Sequence, residues 1–339
     1  MTPDHSIAQV ISNHQLSEPY EQRRAIAKMI TLLESTRLEH REKALSILDE
    51  LLPFSGNSFR IGVSGVPGVG KSTFIEVLGL RLIQEGHKVA VLAVDPSSSL
   101  TGGSILGDKT RMERLSVHEK AFIRPSPASG NLGGVAAKTR ESMLVVESAG
   151  YDIVIVETVG VGQSEIAVAN MTDIFVLMQL PNAGDDLQAI KKGVMEVADL
   201  IVINKADLHQ PSATQAEAFI TGALRLFGLF GKDPHNGESL KNWVPKVMSL
   251  SALKETGIDD FIDSINAFKK IQDANGSFLK RRQDQAKTWM WERIEAELKD
   301  QFRHHPDVKS RLPEILQEVN NGKKSPSNAA HELISIFKK

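Results

Sequence analysis

The stretch Gly65-Val66-Pro67-Gly68-Val69-Gly70-Lys71-Ser72 decides the fold of this 339-residue chain. It fits the pattern of a glycine, four free positions and then Gly-Lys-Ser/Thr, which is typical of a phosphate-binding loop. An apolar run, Phe59 to Val63, precedes it and a helical run, Thr73 to Gln84, follows it. This strand–loop–helix context predicts a site for a nucleoside triphosphate and disfavours the alternative, a glycine-rich turn without a ligand.

The residue types in this loop suit a triphosphate. Glycines let successive backbone N–H groups point inward, and the following helix directs its positive end at the same anion. We therefore expect every residue from Gly65 to Ser72, with Thr73 at the helix start, to bind nucleotide. Lys71 would bring a mobile charge to the outer phosphates, and the Ser72 hydroxyl would be a ligand for Mg²⁺.

Composition narrows the classes of partner. The chain has 40 Lys and Arg against 42 Asp and Glu, a formal charge of −2, which favours neither nucleic acid nor an anionic membrane. It has no cysteine, which excludes disulfides, thiolate catalysis and cysteine metal sites. No secretory signal is apparent in Met1 to Gln15, and no apolar run is long enough to cross a bilayer. We expect a soluble cytoplasmic protein whose partners are small molecules and proteins.

Seven short apolar runs alternate with helical runs, which predicts an α/β fold with a mostly parallel central sheet flanked by helices, as in a P-loop NTPase. Ligands of such sheets bind at the carboxyl ends of the strands. The predicted strands are Phe59 to Val63, Val89 to Val94, Ala121 to Ile123, Ile153 to Val156, Ile174 to Met178, Leu200 to Ile203 and Lys246 to Leu250.

Acidic residues follow two of these strands. Asp95 closes the second, with Asp108 farther along a glycine-rich loop, and Glu157 ends the fourth, three positions before Gly160. This arrangement predicts carboxylates that hold Mg²⁺ and a glycine N–H that senses the γ-phosphate. Helix caps and turn residues are the alternative for Asp95 and Asp108.

The base is indicated by Asn204-Lys205-Ala206-Asp207, which follows the sixth strand. An aspartate here can accept both N1–H and the 2-amino group of guanine, a pair of donors that adenine lacks, and a base without them leaves the carboxylate unpaired. Ser251-Ala252-Leu253 follows the last strand and matches a companion loop whose backbone contacts the guanine oxygen. Together these motifs favour GTP or GDP over ATP.

A polar loop, Leu180 to Gln188, follows the fifth strand and leads to Lys191-Lys192. It could contact nucleotide, substrate or partner, and a solvated loop with a charged helix face is an equal alternative. The short basic cluster Lys280-Arg281-Arg282 is expected to be solvated.

Helical patterns flank the nucleotide domain. We predict an N-terminal helical extension over 1–55, the P-loop domain over 56–265 and a C-terminal helical arm over 266–339. In that arm Met290, Ile294 and Leu298 form one stripe, and Trp289 and Trp291 point to different sides of the same helix. Large aromatic side chains on opposed faces favour burial on two sides and hence a dimerisation arm, whereas a lone solvent-facing tryptophan is the alternative.

The chain closely resembles the MeaB/ArgK family of P-loop GTPases. The resemblance rests on GVPGVGKS, AVDPSSS, GGSILGDKTRM, ETVGVGQSE, LPNAGDDLQAIKKG and NKAD in that order, and it covers most of the chain. It implies a homodimer that serves an adenosylcobalamin-dependent acyl-CoA mutase of the methylmalonyl-CoA mutase type, coupling GTP hydrolysis to cofactor loading and protection.

By the same resemblance, particular positions take family roles. Lys71 and Ser72 act at the phosphates, while Asp95, Asp108 and Glu157 become candidates for the Mg²⁺ shell. Asn204, Lys205 and Asp207 read guanine with Ser251 to Leu253, and the loop Pro181 to Gln188, with Lys191, corresponds to an additional switch toward the mutase.

Two other functions stay open at this point. A P-loop kinase would pass the γ-phosphate to a protein or a small molecule, although no acceptor-binding domain is evident. A GTPase that inserts metal would carry Cys/His metal sites, and the absence of cysteine argues against it.

Overall fold

A computed structural model describes residues 6–13, 19–94, 112–125, 132–158, 164–181, 192–226 and 243–338 of the chain. The chain divides into two compact units, Met1–Arg282 and Gln283–Lys339. The boundaries predicted at 55/56 and 265/266 remain predictions.

The first unit is built on a seven-stranded sheet in which every pairing is parallel. The strands lie in the order β3-β2-β4-β1-β5-β6-β7, so the chain winds to one side of β1 and then to the other. The bounds are β1 Phe59–Gly65, β2 Val89–Val94, β3 Ala121–Arg124, β4 Ile153–Thr158, β5 Ile174–Gln179, β6 Leu200–Ile203 and β7 Lys246–Ser249. The predicted fold class is confirmed, and each predicted strand is present with bounds that agree within two residues.

Helices connect and flank these strands. In the described ranges they are α1 Ile7–Ser12, α2 Pro19–Glu34, α3 Leu38–Leu51, α4 Lys71–Gln84, α5 Glu113–Ser116, α6 Leu132–Ser148, α7 Ser164–Ala169, α8 Lys192–Glu196, α9 Gln210–Leu226, α10 Ile258–Ala274, α11 Ser277–His304, α12 Pro306–Asn320 and α13 Pro326–Phe337. A single 3-10 turn, Leu52–Phe54, follows α3. No helix in these ranges is long and apolar enough to cross a membrane.

Both faces of the sheet are covered, which explains why its strands are apolar along their whole length. On one face α1, α2 and α3 bury Ile11, Met29 and Leu51 against α6 and the sheet. On the other face α4 and α10 supply Phe74 and Phe261, whose rings meet edge to face at 5.0 Å. The N-terminal helices are therefore part of one core with the nucleotide domain.

The amino-terminal edge of the sheet holds a buried ion network. Glu147 accepts hydrogen bonds from Arg60 Nε at 2.6 Å, Ser58 Oγ at 2.5 Å and Gly56 N at 2.9 Å. Asp173, just before β5, accepts from the backbone N–H of Arg60 at 2.7 Å. Each of these two carboxylates is almost fully buried and meets several donors.

The start of α11 joins the same edge. Arg282 donates to Asp173 at 2.6 Å, and Arg281 donates to Asp199, which precedes β6, at 3.1 Å. The prediction that this basic cluster is solvated is therefore wrong for Arg281 and Arg282. Sequence reasoning missed the pairs because Asp173 and Asp199 lie about a hundred positions away in the chain.

The second unit has its own small core. Val308, Ile315, Ala329 and Leu333 are buried between α12 and α13. On α11, which precedes these two helices in the chain, three large apolar side chains are about half exposed: Met290 at 52%, Trp291 at 59% and Leu298 at 51%. Trp289 is half-buried, so the two tryptophans do differ in exposure.

Candidate nucleotide-binding site

The loop between β1 and α4 is shaped by its glycines. Gly65 has a φ of 154°, and a Cβ there would come within 2.5 Å of the Met178 carbonyl oxygen on β5. Gly70 has a φ of 98° and begins α4, and a Cβ there would lie 2.6 Å from Asn204 Nδ2. Only glycine fits these two positions without moving neighbouring backbone or amide groups.

The first turn of α4 offers backbone donors. The N-cap residue, Gly70, provides no side-chain cap, and the N–H groups of Ser72 and Thr73 have no acceptor among the described residues. Orphan N–H groups at the start of a 14-residue helix, together with the helix dipole, suit an anion.

Lys71 is buried and folded back onto the loop. Its ammonium donates to the carbonyl oxygen of Gly65 at 2.7 Å and to that of Val66 at 3.3 Å. Both acceptors are neutral. Because a hydrogen bond from an ammonium group to an anionic phosphate is stronger, Lys71 can exchange these carbonyl oxygens for a phosphate when one is present.

Ser72 and Glu157 converge beside the loop. Glu157 lies in β4 opposite Val63 of β1, and this register brings its Oε1 to 3.3 Å from Ser72 Oγ. One residue farther, Ser64 and Thr158 share a buried hydrogen bond of 2.8 Å between the two strands. Sequence reasoning missed that second bond, which fixes the spacing of β1 and β4 where they carry the site.

This hydroxyl and carboxylate form an oxygen pair of the kind that Mg²⁺ prefers. No group of three or more His, Cys, Asp or Glu with metal-binding geometry occurs in the ranges that the structure covers. Mg²⁺ needs no such cage, because it keeps several waters and takes phosphate oxygens as further ligands. The residues present therefore fit the ion.

Asn204 links two loops of the site. Its side chain is buried, donates from Nδ2 to the Val69 carbonyl at 2.8 Å and accepts at Oδ1 from the Ala252 N–H at 3.0 Å. The phosphate loop and the Ser251 to Leu253 loop are thus held together through one amide. Its contacts give Asn204 a bracing role that the motif alone did not show.

Lys205 and Asp207 complete this motif. Lys205 has a φ of 62°, rare for a residue with a Cβ, and its ammonium reaches across to the Gly68 carbonyl at 2.8 Å. Asp207 is exposed and has no hydrogen-bond partner in the described part of the chain. Leu208 and Leu253, next to Asp207 and Ala252 in the chain, are 72% and 71% exposed and offer apolar surface. Sequence reasoning missed Leu208, whose signal is an apolar side chain directly after the motif.

The Ser251 to Leu253 loop is held in shape locally. Ser251 pairs with Thr256 through two backbone hydrogen bonds of 3.0 and 3.1 Å, and its Oγ accepts from the Lys254 N–H. Ser251 and Ala252 are buried, while Leu253 projects outward. A backbone so constrained can present its N–H groups at a fixed place.

The structure brings together four separate segments at the carboxyl edge of the sheet: the phosphate loop, Glu157, Asn204 to Asp207 and Ser251 to Leu253. Other predicted site residues lie outside the described residues, namely Asp95, Asp108, Gly160, Lys191 and the loop positions 182–188. Their predicted roles are untested.

Comparison with known proteins decides the family. Residues 26–307 match the family model described as methylmalonyl Co-A mutase-associated GTPase MeaB. The chain belongs to the MeaB family. The GTPase ArgK of Escherichia coli (strain K12), one of the relatives of this MeaB family member, is 45% identical over 313 residues, 92% of each protein.

Two further comparisons agree with that assignment. The Mus musculus protein named methylmalonic aciduria type A homolog, mitochondrial, is 44% identical over 329 residues, which cover 94% of this chain and 77% of that protein. The crystal structure of LAO/AO transport system kinase superposes with a TM-score of 0.73 at 36% identity over the whole of both chains. As a member of the MeaB family, the chain is a GTPase that converts GTP to GDP and phosphate, as predicted.

Proposed function

We propose that this GTPase is a chaperone of an adenosylcobalamin-dependent acyl-CoA mutase of the methylmalonyl-CoA mutase type. On this proposal, binding and hydrolysis of GTP are coupled to cofactor loading and to protection of the mutase. Membership in a family described as mutase-associated supports the choice of partner. The Asn204 amide is the observation that supports a nucleotide-dependent switch, because it joins the phosphate loop to the Ser251 to Leu253 loop.

In this proposal the residues of the phosphate loop and α4 bind and orient the triphosphate. Backbone N–H groups of the residues from Gly65 to Thr73 other than Pro67 surround the phosphates, and Lys71 leaves the carbonyl oxygens of Gly65 and Val66 to neutralise the outer phosphates. Ser72 and Glu157 would hold Mg²⁺, with Asp95 and Asp108 as further candidates. When bound, Mg²⁺ neutralises charge that develops on the phosphate oxygens during transfer to water.

The base is read by Asp207. Its carboxylate would accept from N1–H and the 2-amino group of guanine, while the exposed Leu208 and Leu253 cover the base from its sides. Asn204 and Lys205 position the loop, and the backbone of Ser251 to Leu253 contacts the guanine oxygen. Gly160 and Lys191 are proposed to respond to the γ-phosphate, and the loop after Pro181 would carry that response to the mutase.

We further propose that two copies of the chain associate through α11. Met290, Trp291 and Leu298 recur on the helix at spacings of one and seven residues and leave a large apolar area exposed in the monomer. A second copy would cover this area. Light scattering should give twice the chain mass, and Trp291→Glu should return it to the mass of one chain; a monomeric parent protein would contradict the proposal.

Localisation in the cytoplasm is proposed from the absence of cysteine, which suits a reducing compartment.

The mutase proposal is tested by capture of purified acyl-CoA mutases on the immobilised protein, once with GDP and once with a non-hydrolysable GTP analogue. We expect an adenosylcobalamin-dependent mutase to bind with an affinity that depends on the nucleotide. Equal or absent capture in both states would contradict the proposal. The Lys71→Ala variant is the control, since it should not distinguish the two nucleotides.

A kinase is the second candidate, because a solved relative is described as a transport system kinase. Incubation with γ-labelled GTP separates the two functions. Label released as inorganic phosphate supports the chaperone GTPase, whereas label on a protein or small-molecule acceptor would show phosphate transfer.

A further inference from the structure

A cavity lined by both polar and apolar residues lies away from the nucleotide site, at the open edge of β3. It has a volume of about 500 Å³ and is lined by Tyr20, Arg23, Arg24, Ser116, Phe122 and Ile123. Phe122 belongs to the core on one face of the sheet and Ile123 to the core on the other, so the cavity spans the edge strand itself. Strand β3 is three places from β1, about 14 Å at the usual strand spacing, which separates this cavity from the phosphate loop.

Two arginines of this cavity meet no carboxylate in the described part of the chain, although the charge of Arg23 does act on the buried Tyr151 hydroxyl. Arg23 is half-buried and Arg24 exposed, and neither makes an ion pair or a hydrogen bond with any residue in the described ranges. The half-buried Arg60, Arg124 and Arg282, in contrast, each meet a carboxylate at 2.5 to 2.6 Å. A partly desolvated guanidinium without an anion is costly, and a ligand that supplies one would remove that cost.

The other lining residues define what such a ligand would carry. Tyr20 lies three and four positions before the two arginines on α2, on the same side of the helix, and lines the same cavity. The ring is 73% exposed and presents a flat face to solvent. Ser116 Oγ donates its proton to the Glu113 carbonyl at 3.0 Å, which leaves the oxygen as an acceptor.

The remaining lining residues, Phe122 and Ile123, are apolar and buried. An anion, a planar group and a hydrogen-bond donor can therefore be satisfied at one place. The cavity volume falls within the range of about 300 to 1,000 Å³ that is usual for small-molecule sites.

We propose that this cavity, named here the edge-strand pocket, binds an organic phosphate: a phosphate or diphosphate group held between Arg23 and Arg24, and a planar group stacked on Tyr20. Guanidinium groups bind phosphate in a bidentate manner, and a planar base stacks well on an exposed aromatic ring. The edge-strand pocket would thus bind a ligand in addition to the GTP at the phosphate loop. The inference does not depend on the mutase proposal.

The test uses calorimetric titration of the full-length protein saturated with GDP and Mg²⁺, with ADP and inorganic pyrophosphate as probes. We expect one ADP per chain and weaker binding of pyrophosphate. Arg24→Gln should weaken both probes by about tenfold or more. Tyr20→Ala should weaken ADP by about fivefold and leave pyrophosphate unchanged.

Lys28→Ala is the matched control, because Lys28 is an exposed cation one turn beyond Arg24 on the same helix and does not line the pocket. It should change neither affinity by more than about twofold, since Lys28 is exposed and contributes no contact to the pocket. All three substitutions, Arg24→Gln, Tyr20→Ala and Lys28→Ala, are at exposed residues and should leave the thermal unfolding midpoint unchanged, which separates lost binding from lost folding.

Several results would overturn the proposal. They are absence of binding by both probes, equal affinity in the Arg24→Gln variant, or loss of ADP binding when GDP is raised tenfold, which would place ADP at the phosphate loop. A glutamate-rich peptide that binds through Arg24 while neither phosphate probe binds would also overturn it, in favour of a protein contact.

Discussion

The charged side chains at the two edges of the sheet differ in burial and in their hydrogen-bond partners. At the amino-terminal edge, Glu147 and Asp173 are buried, and each accepts several hydrogen bonds from fixed donors. At the carboxyl edge, Asp207 is exposed and has no hydrogen-bond partner in the described ranges, and the ammonium of Lys71 donates to the carbonyl oxygens of Gly65 and Val66 on the phosphate loop.

This difference follows from what each end must do. A charge that serves the fold has to recover its solvation within the protein, because burial without partners is costly. A charge that serves a ligand has to stay available until the ligand arrives. For Asp173 and Asp207, partnering therefore separates a structural carboxylate from a ligand-binding one where residue type cannot, since both residues are aspartates.

The largest effect on function is expected from Lys71→Ala. The variant loses the charge that we assign to the outer phosphates, so GTP turnover should fall by about 10³-fold or more while the free energy of unfolding changes little. Release of labelled phosphate measures the first quantity and denaturant titration the second. The control is Arg81→Ala, farther along α4 than Lys71. It breaks an exposed ion pair between Arg81 and Asp259 and should leave turnover within about twofold of the parent.

The largest effect on stability is expected at the opposite edge, from Glu147→Ala. The substitution leaves Arg60 half-buried without its carboxylate, so the free energy of unfolding should fall by about 3–5 kcal/mol. The affinity for GTP, measured on the folded fraction, should be unchanged. A large loss of GTP affinity with unaltered stability would show that the two edges are not separate in function.

The pH dependence of stability sharpens the same contrast. Burial alone would raise the pKa of Glu147, but the hydrogen bond and charge of Arg60, with the hydrogen bonds of Ser58 and Gly56, outweigh it and lower the pKa below its ordinary 4.5. A depressed folded-state pKa contributes stability above pH 4.5, and this contribution is lost as the pH falls through the lower, folded value. Unfolding measured from pH 6 downward should therefore lose less stability in Glu147→Gln than in the parent; parallel curves would contradict this.

The features that the sequence predicts are those that have a local pattern along the chain. The sequence predicts all seven strands because each is a short apolar run bounded by polar or glycine-rich turns, and it predicts the phosphate and guanine motifs because their spacing is local. Helix α1 was missed because only Ala8 and Ile11 of its six residues are buried, which leaves almost no periodic signal. Helix α9 was predicted only as a helical run between the sixth and seventh strands, without bounds, although Ala213, Ala216, Ile220 and Leu224 have helical spacing.

Long-range pairing was beyond the reach of sequence analysis. The bonds of Arg282 to Asp173 and of Asn204 to Val69 join residues more than a hundred positions apart, and no local pattern encodes them. The edge-strand pocket was missed for the same reason, since it combines α2 with β3.

The smallest effect is expected for Asn204→Ala, because Asn204 is both a structural and a ligand-binding polar residue. Asn204 is buried like the amino-edge carboxylates, yet it lies in the nucleotide site. Loss of its bonds to Val69 and Ala252 should lower the free energy of unfolding by about 1–3 kcal/mol and also weaken GTP binding several-fold, because the two loops are no longer tied. Calorimetry and denaturant titration on one preparation measure both. Asn275→Ala, an exposed asparagine whose Oδ1 accepts from the Ser277 N–H, is the control and should change neither quantity appreciably.

The most direct test of the central claim, that the open carboxyl edge reads guanine through Asp207, is the ratio of the dissociation constants for GTP and xanthosine triphosphate in Asp207→Asn. An amide donor suits the 2-oxo group of xanthine and not the 2-amino group of guanine. We predict that GTP binding weakens by about 100-fold or more while xanthosine triphosphate becomes the preferred ligand. Unchanged GTP affinity in Asp207→Asn would contradict the account.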